Sequence, residues 1–480
     1  MASSDRVQLT DLLNLPGITI DQIAEDDHQY SIKVGRRREH RQHCPHCGCL
    51  DLRPNGSREV RIHDLPIHGK RVGIWFDRQR FLCPDCGKSC SDEPEVFDPA
   101  RMMTRRLVEW IGQQGLRRPF TAVADDVGLD ESTIRSAWSE WTEARIAALE
   151  IPTPDWMGLD EVYLLGSARG VITDVHQRTL VDFLPRRDKG TIARRIADMP
   201  GRDQIELVTM DMWRPYWTVC RELLPKAQIV VDRWHVQKYA NEGMETVRKA
   251  VREGLPKKRR IRLLNDRRLL LKRRADLVGM EPMIVEAWCG EFPDLGAAYA
   301  AKERFAEIWT WGNEADARAG VRAWAEEMPE EIRPAFKPLL TALTNWEAEI
   351  FAYFRHPITN AFTECMNGLA KIDNRMGRGY SFEALRAKIL LKHSKPKVPR
   401  PRFIKESPFK KPTGLGSGKP LIESYEVALE LAEAPLDVPM FLKRMIGGPT
   451  MAERLAPPVQ TLGPDLDGLA DILSALDDEE

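Results

Sequence analysis

No stretch of this chain carries the roughly 20 consecutive apolar residues that a membrane-spanning helix needs. The opening MASSDRVQLTDLL has neither the basic start nor the apolar centre of an export signal. A cytoplasmic chain with no membrane partner is therefore expected. Net charge is also missing: 71 Lys and Arg stand against 72 Asp and Glu, for a formal −1. That excludes a uniformly charged surface gathering a polyanion from a distance. Cysteine is scarce outside one region. Six of nine lie between Cys44 and Cys90, while Cys220, Cys289 and Cys365 stand apart. Without an export signal, such a cluster points to metal rather than disulfides.

What is present is strongly local. Lys33–Arg41 and Lys257–Arg274 are basic, and Asp465–Glu480 is acidic. Two knuckles, CPHCG and CPDCG, place Cys44, Cys47, Cys83 and Cys86 in Cys-x-x-Cys-Gly pairs. The glycine permits the tight turn in which two thiolates face one ion. Between the knuckles, Val60–Ile67 and Arg71–Leu82 alternate apolar residues with arginines around a His68-Gly69 turn. The arrangement reads as a zinc ribbon with structural Zn²⁺ on those four cysteines. His46, His63 and His68 are rival ligands, and Cys49 and Cys90 are surplus.

Residues 101–150 follow a helical pattern. FTAVADDVGLDESTIRSAWSEW predicts a helix over Thr121–Val127, a turn at Gly128-Leu129-Asp130 and a helix over Glu131–Trp141. This is the spacing of a helix-turn-helix, with Ser132, Thr133, Arg135 and Ser136 at the start of the recognition helix. A helical hairpin that only packs is the alternative.

After the linker IPTPDW, MGLDEVYLL predicts a buried strand holding Asp160 and Glu161. Buried carboxylates need a partner or a metal. Strands at Gly170–His176 and Thr179–Leu184, a helix at Lys189–Met199, and the strand–helix–strand IELVTMDMWRPYWTVCRELLPKAQIVVD complete the order β-β-β-α-β-α-β. That is the order of a ribonuclease H-like core, in which the first and fourth strands are neighbours. Asp160 and Asp211 would then meet across about 50 residues of chain. Asp232 and His235 follow the next strand, either orienting substrate or capping structure. Trp213 and Arg214 open a helix and are candidates for DNA contact.

From Lys238 to about Ala352 the pattern turns to long helices, read as an insertion. Lys257–Arg274 holds ten basic residues against one acid, with Lys257, Lys258, Arg259 and Arg260 leading. A solvated face and a phosphate-contacting face are both open readings. Five tryptophans spread through this block are expected in its core. In the returning segment Glu364 sits on a helix facing the sheet. The Gly-broken KIDNRMGRGY is expected as a loop contacting DNA backbone through Arg375 and Arg378. The domains expected are a lead segment at 1–40, the ribbon at 41–100, the helix-turn-helix at 101–150, and the catalytic α/β core at 151–395 with its helical insertion at about 238–352. A Pro/Lys-rich linker and acidic tail follow at 396–480.

The quoted blocks, together with DMWRPY, LPKAQIVVDRWHVQK and TECMNGLAKIDNRMGRGYSFEALRAKILL, resemble the DDE transposases of bacterial insertion sequences, specifically the ISL-three family. The resemblance covers roughly residues 40–395. It implies Asp160, Asp211 and Glu364 as catalytic acids on Mg²⁺ or Mn²⁺. It also implies double-stranded DNA as partner, both terminal inverted repeats and target, with a homodimer as the active form near the nucleoid. The expected reaction is phosphodiester hydrolysis at the element ends followed by strand transfer. A DNA-binding regulator with a decayed core, or a structure-specific nuclease, are the alternatives.

Overall fold

In the computed structural model, which describes residues 13–36, 43–91, 94–377 and 379–396, two five-stranded sheets are joined by helices. The first sheet holds β1 (Ile18–Glu25), β2 (Gln29–Arg36), β3 (Arg53–Ile67), β4 (Lys70–Leu82) and β5 (Ser89–Ser91), ordered β1-β2-β4-β3 with β5 on β4. His68 (φ 54°) and Gly69 (φ 77°) both sit in the left-handed region, which suits a two-residue hairpin turn between β3 and β4. The segment expected as a lead is in fact partly sheet. QYSIKVGR alternates, so Ile32 and Val34 are buried beside Ile62, Ile74 and Phe76, and β2 pairs in parallel with β4. The first seven residues of β3 are exposed on both faces. The outer half of the β3–β4 hairpin therefore projects beyond the core.

Three helices follow: α1 (Arg105–Gly115), α2 (Phe120–Val127) and α3 (Glu131–Ala147). The Thr104 hydroxyl donates to Asp64 at 2.6 Å and accepts from the N–H of Leu107, fixing the start of α1 to β3. Gly128 (φ 70°) ends α2 and its N–H returns to the carbonyl of Ala124. Trp138 and Trp141 pack against α1 where Gly112 and Gly115 leave room, and the helix starting at Glu131 runs six residues past the expected Trp141, with Arg145 paired to Glu109 of α1.

The second sheet holds β6 (Trp156–Leu164), β7 (Ser167–Asp174), β8 (Thr179–Leu184), β9 (Leu207–Met210) and β10 (Gln228–Val231), ordered β10-β9-β6-β7-β8. β7 runs antiparallel to β6 and β8, while β9 and β10 run parallel to β6. Helices α4 (Lys189–Ala197) and α5 (Arg214–Leu223) make the crossovers. Leu207–Met210 is buried throughout, as an interior strand must be.

Beyond β10, α6 (Arg233–Glu253) leads into a helical block: α7 (Lys257–Asn265), α8 (Arg267–Leu271), α9 (Glu281–Glu291), α10 (Pro293–Glu307), α11 (Glu314–Glu326), α12 (Arg333–Asn345) and α13 (Glu347–Phe351). Trp288, Trp324 and Trp346 lie in its core and Trp309 packs at its margin, whereas Trp311 is 38% exposed. The chain returns through α14 (Ala361–Gly377) and α15 (Phe382–His393). These two share a core with α1–α3 and β6–β8, where Phe120 and Trp138 meet Tyr380 and Leu385. Among the described residues no helix is long and apolar enough to cross a membrane.

Candidate active site

Parallel pairing of β6 with β9 brings Asp160, on β6, next to Asp211, the residue after β9. Asp232 caps α6, its side chain accepting from the N–H of Trp234 at 3.0 Å. One turn of helix then presents His235. Glu364 lies in the first turn of α14. Ligand atoms of Asp160, Asp211 and His235 all lie within 4.8 Å of one another, and so do those of Asp232, His235 and Glu364. The acids therefore form two overlapping triads joined by His235. His235 Nε2 stands 2.7 Å from Asp211 Oδ1 and 3.6 Å from Glu364 Oε1. At that distance the imidazole, when protonated, is charge-paired with Asp211.

Crowding sets the electrostatics. Burial, and then the charge of Asp211, push the Asp160 carboxyl up to about 8. Burial and the charge of Asp232 raise Glu364 above the usual carboxylate range. Burial works to lower His235, but contact with Asp211 and the charges of Asp211, Asp232 and Asp160 outweigh it, leaving the imidazole above its ordinary value. A cavity of about 230 Å³ opens on one side of the acids, lined by Arg187, Asp211, Trp213, His235 and Lys238. Another, of about 470 Å³, opens beside Asp232, Trp234, Trp309 and Glu364.

Several positioning residues were not read from the sequence. Asn367 donates to Asp160 Oδ2 at 2.7 Å and to the carbonyl of Glu161 at 3.2 Å. The Asn360 N–H donates to Asp232 Oδ2 at 3.1 Å, and its side chain donates to the carbonyl of Leu159 at 3.0 Å. The Thr363 hydroxyl donates to Asn360 Oδ1 at 2.6 Å and lies 2.7 Å from the Thr173 hydroxyl. The signal was available: Asn360 and Asn367 flank Glu364 at helical spacing, on the side of α14 that meets β6. Gly158 on β6 makes this docking possible. A Cβ there would lie 2.4 Å from Thr363 Oγ1, 2.5 Å from Thr173 Oγ1 and 2.9 Å from Asn360 Oδ1. Gly158→Ala is expected to push α14 off the sheet and cost about 1–3 kcal/mol. Urea denaturation and DNA cleavage assays should both register the change.

The other expected site residues are spread out. Ser132 and Ser136 are exposed at the start of α3, and Thr133 is half-buried. Arg135 is occupied, pairing with Glu131 and lying 5.0 Å over the Phe120 ring. The basic run forms two short helices with a break at Asp266, and much of it is paired: Arg259 with Glu291, Arg267 with Glu245, Lys272 with Glu281, Arg273 with Glu303 and Arg274 with Glu286. Lys257, Lys258 and Arg260 remain exposed. Arg214 is likewise engaged within the chain, donating to the carbonyl of Asn345 at 2.8 Å and stacking on Trp346 at 4.4 Å. The loop expected over Lys371–Tyr380 is helical as far as Gly377, because Met366, Ala370 and Asp373 continue one buried stripe and Asp373 accepts from Lys392 at 2.6 Å. Arg375 is exposed on that helix, while Arg378 lies outside the described residues, as does the tail from 397.

At the tip of β3–β4 the four knuckle cysteines converge. Cys44 and Cys86 sulfurs are 3.7 Å apart, and those of Cys47 and Cys83 are 3.5 Å apart. Tetrahedral zinc with Zn–S bonds of about 2.3 Å needs sulfurs about 3.8 Å apart. Gly48 (φ 77°) and Gly87 (φ 67°) turn each knuckle, donating to the carbonyls of Cys44 and Cys83. Cys49 instead turns to the carbonyl of Asp51, and none of the three histidines joins the cluster.

Residues 157–389 match a family model described as transposase, of the DDE ISL3 type. Residues 40–86 match the zinc-finger of transposase IS204/IS1001/IS1096/IS1165, which together with the four-cysteine cluster supports structural zinc. Among curated proteins the chain is similar to the transposase for insertion sequence element IS1001 of Bordetella parapertussis. The two are 25% identical over 351 residues, which is 70% of this chain and 85% of the relative.

Proposed function

Because the chain belongs to the ISL-three family of insertion-sequence transposases, we propose that it cuts and joins DNA through the acids gathered around His235. The reading rests on one observation. Asp160, Asp211 and Glu364, from three elements far apart in the chain, meet within two triads that share one imidazole. The order of the second sheet supports a ribonuclease H-like core, and α2–α3 support a helix-turn-helix.

The residues fit a hard divalent cation. Carboxylates this close repel unless neutralised, and ligand atoms of Asp160 and Asp211 lie within 4.8 Å of each other and of His235. Oxygen-rich sites favour Mg²⁺ or Mn²⁺. Asp160 and Asp211 would hold the metal, with Glu364 completing the site and Asp232 and His235 beside them. When bound, two such ions supply an activated water or 3′-hydroxyl and stabilise the leaving oxygen. The remaining work falls to the chain. Asn367 holds one oxygen of Asp160 and so aims the other. Asn360 ties α14 to both Leu159 and Asp232, fixing Glu364 relative to β6 and α6. His235, its imidazole held above the ordinary value, stands between Asp211 and Glu364.

The substrate is double-stranded DNA, with terminal inverted repeats cut and target DNA joined, and a homodimer would hold two ends. The transposase relatives do not favour a regulator with a decayed core. The test uses the full chain with DNA bearing the element's ends. Mg²⁺-dependent nicks at the ends, followed by joined products, are expected. Nicks without joined products would leave a nuclease, and end binding without cutting under any divalent ion would leave a regulator.

A further inference from the structure

The four arginines on the projecting half of the β3–β4 hairpin take no part in the site just described. Register puts them on one face. Arg58 lies directly opposite Arg78, Arg53 opposite Leu82, and Arg80 two residues from Arg78. Opposed residues share a face and every second residue repeats it. The same face carries Val60 and Phe76 further down, where it is covered by core. Past that point the cover ends. Arg53, Arg58 and Arg80 are exposed and Arg78 is half-exposed.

The other face is handled differently. There Glu59 opposes Asp77, and Lys33 bridges the two, contacting Glu59 and lying 2.9 Å from Asp77. Like charges set opposite each other on a sheet destabilise it. The chain neutralises the acidic pair with its own lysine. Among the described residues no carboxylate pairs with Arg53, Arg58, Arg78 or Arg80. Elsewhere the arginines of the basic run are largely paired, as noted above. An unneutralised arginine face on a protruding arm calls for an anion from outside, dense enough to meet four guanidinium groups along one short ribbon. Duplex DNA, with a negative charge about every 1.7 Å of axis, has that density.

We propose that the zinc-tipped β3–β4 arm grips duplex DNA with the face formed by Arg53, Arg58, Arg78 and Arg80, the zinc serving to hold the arm's tip. The proposal rests on the transposase reading for its setting, in which DNA ends must be held while the acids act. α3 contributes less. Beyond Ser132 and Ser136, its outward positions include Glu140 and Glu143, and its one arginine in the reading turn is paired.

The test compares the full-length wild type with Arg58→Ala/Arg78→Ala and Arg58→Lys/Arg78→Lys. Binding to end-bearing duplex is measured by fluorescence anisotropy in Mg²⁺-free buffer across a salt series, with cleavage measured separately in Mg²⁺. The alanine pair should bind at least tenfold more weakly, and its log-affinity against log-salt slope should be shallower by about 2, near one per lost phosphate contact. The lysine pair should keep the slope. Zinc content and melting temperature should not fall in either variant, since both positions lie outside the core. An alanine pair with unchanged affinity and slope that still cuts the ends would overturn the arm contact and leave the transposase reading intact. The expected binding pattern in a protein that never cuts would keep the contact and remove that reading.

Discussion

Asp160→Asn is expected to do two opposite things: lower end cleavage by at least about 10³-fold and raise the melting temperature at pH 8. On the proposed function, the first follows from replacing a carboxyl that would give up its proton to the metal with an amide that cannot. The second follows from the pKa. In the folded chain the Asp160 carboxyl is pushed up to about 8, against an ordinary 3.8. Below pH 4 both folded and unfolded chains carry the proton, and burial of the neutral acid imposes no ionisation penalty. Between pH 4 and 8 the unfolded chain releases the proton while the folded chain keeps it. Stability therefore declines by as much as ~1.4 kcal/mol per pH unit across that window. Asparagine escapes the decline. Thermal melts in Mg²⁺-free buffer should show a small gap between variant and wild type at pH 5 and a larger one at pH 8. A variant that melts below the wild type at pH 8 would mean that the carboxylate is well accommodated. One that still cuts would remove Asp160 from the chemistry.

Removing zinc should unfold the arm and little else. Structural zinc contributes on the order of 10–16 kcal/mol in small zinc domains. The outer arm has no apolar core of its own to replace it, since the first seven residues of β3 are exposed. With a strong chelator, or in Cys83→Ser, amide protection should vanish over about residues 43–59 and 77–91. It should persist at Ile62, Val72 and Ile74, which are packed with Ile32 and Val34. Cys49→Ser should keep one zinc per chain, because that sulfur is not one of the four that lie within reach of a common ion. Retained protection across the whole arm after chelation would mean that the four cysteines pack without metal.

Both expectations draw on features that local sequence carries. A Cys-x-x-Cys-Gly knuckle and a His-Gly turn are short-range patterns, fixed by which residues tolerate positive φ. Asp211 and Asp232 were legible because each closes an apolar run bounded by a turn signal. Strand order then implied that Asp160 would lie beside Asp211. What escaped was non-local. The pairing of the basic run with Glu245, Glu281, Glu286, Glu291 and Glu303 depends on helices up to about 30 residues away, so from the sequence a solvated face and a phosphate-contacting face both stayed open. β1 and β2 were missed because alternation over eight residues means little until a partner strand is known. Asn360 and Asn367 were passed over as ordinary helix polars, since their partners, Leu159 and Asp160, lie some 200 residues upstream. Helix α14 outran its expected end because Lys392 satisfies Asp373 from the following helix.

Helix α6 begins at the acids and ends among the helices of the inserted block, 21 residues later, without a break. At 1.5 Å per residue it is a rod about 30 Å long. Gly243, midway along, lies so close to Phe336 of α12 that a methyl group there would come within 2.8 Å of the ring. A substitution that repacks this crossing is therefore expected to be felt at His235, on the first turn of the same helix. The chemistry and the bulk of the chain are thus geared together by one axle.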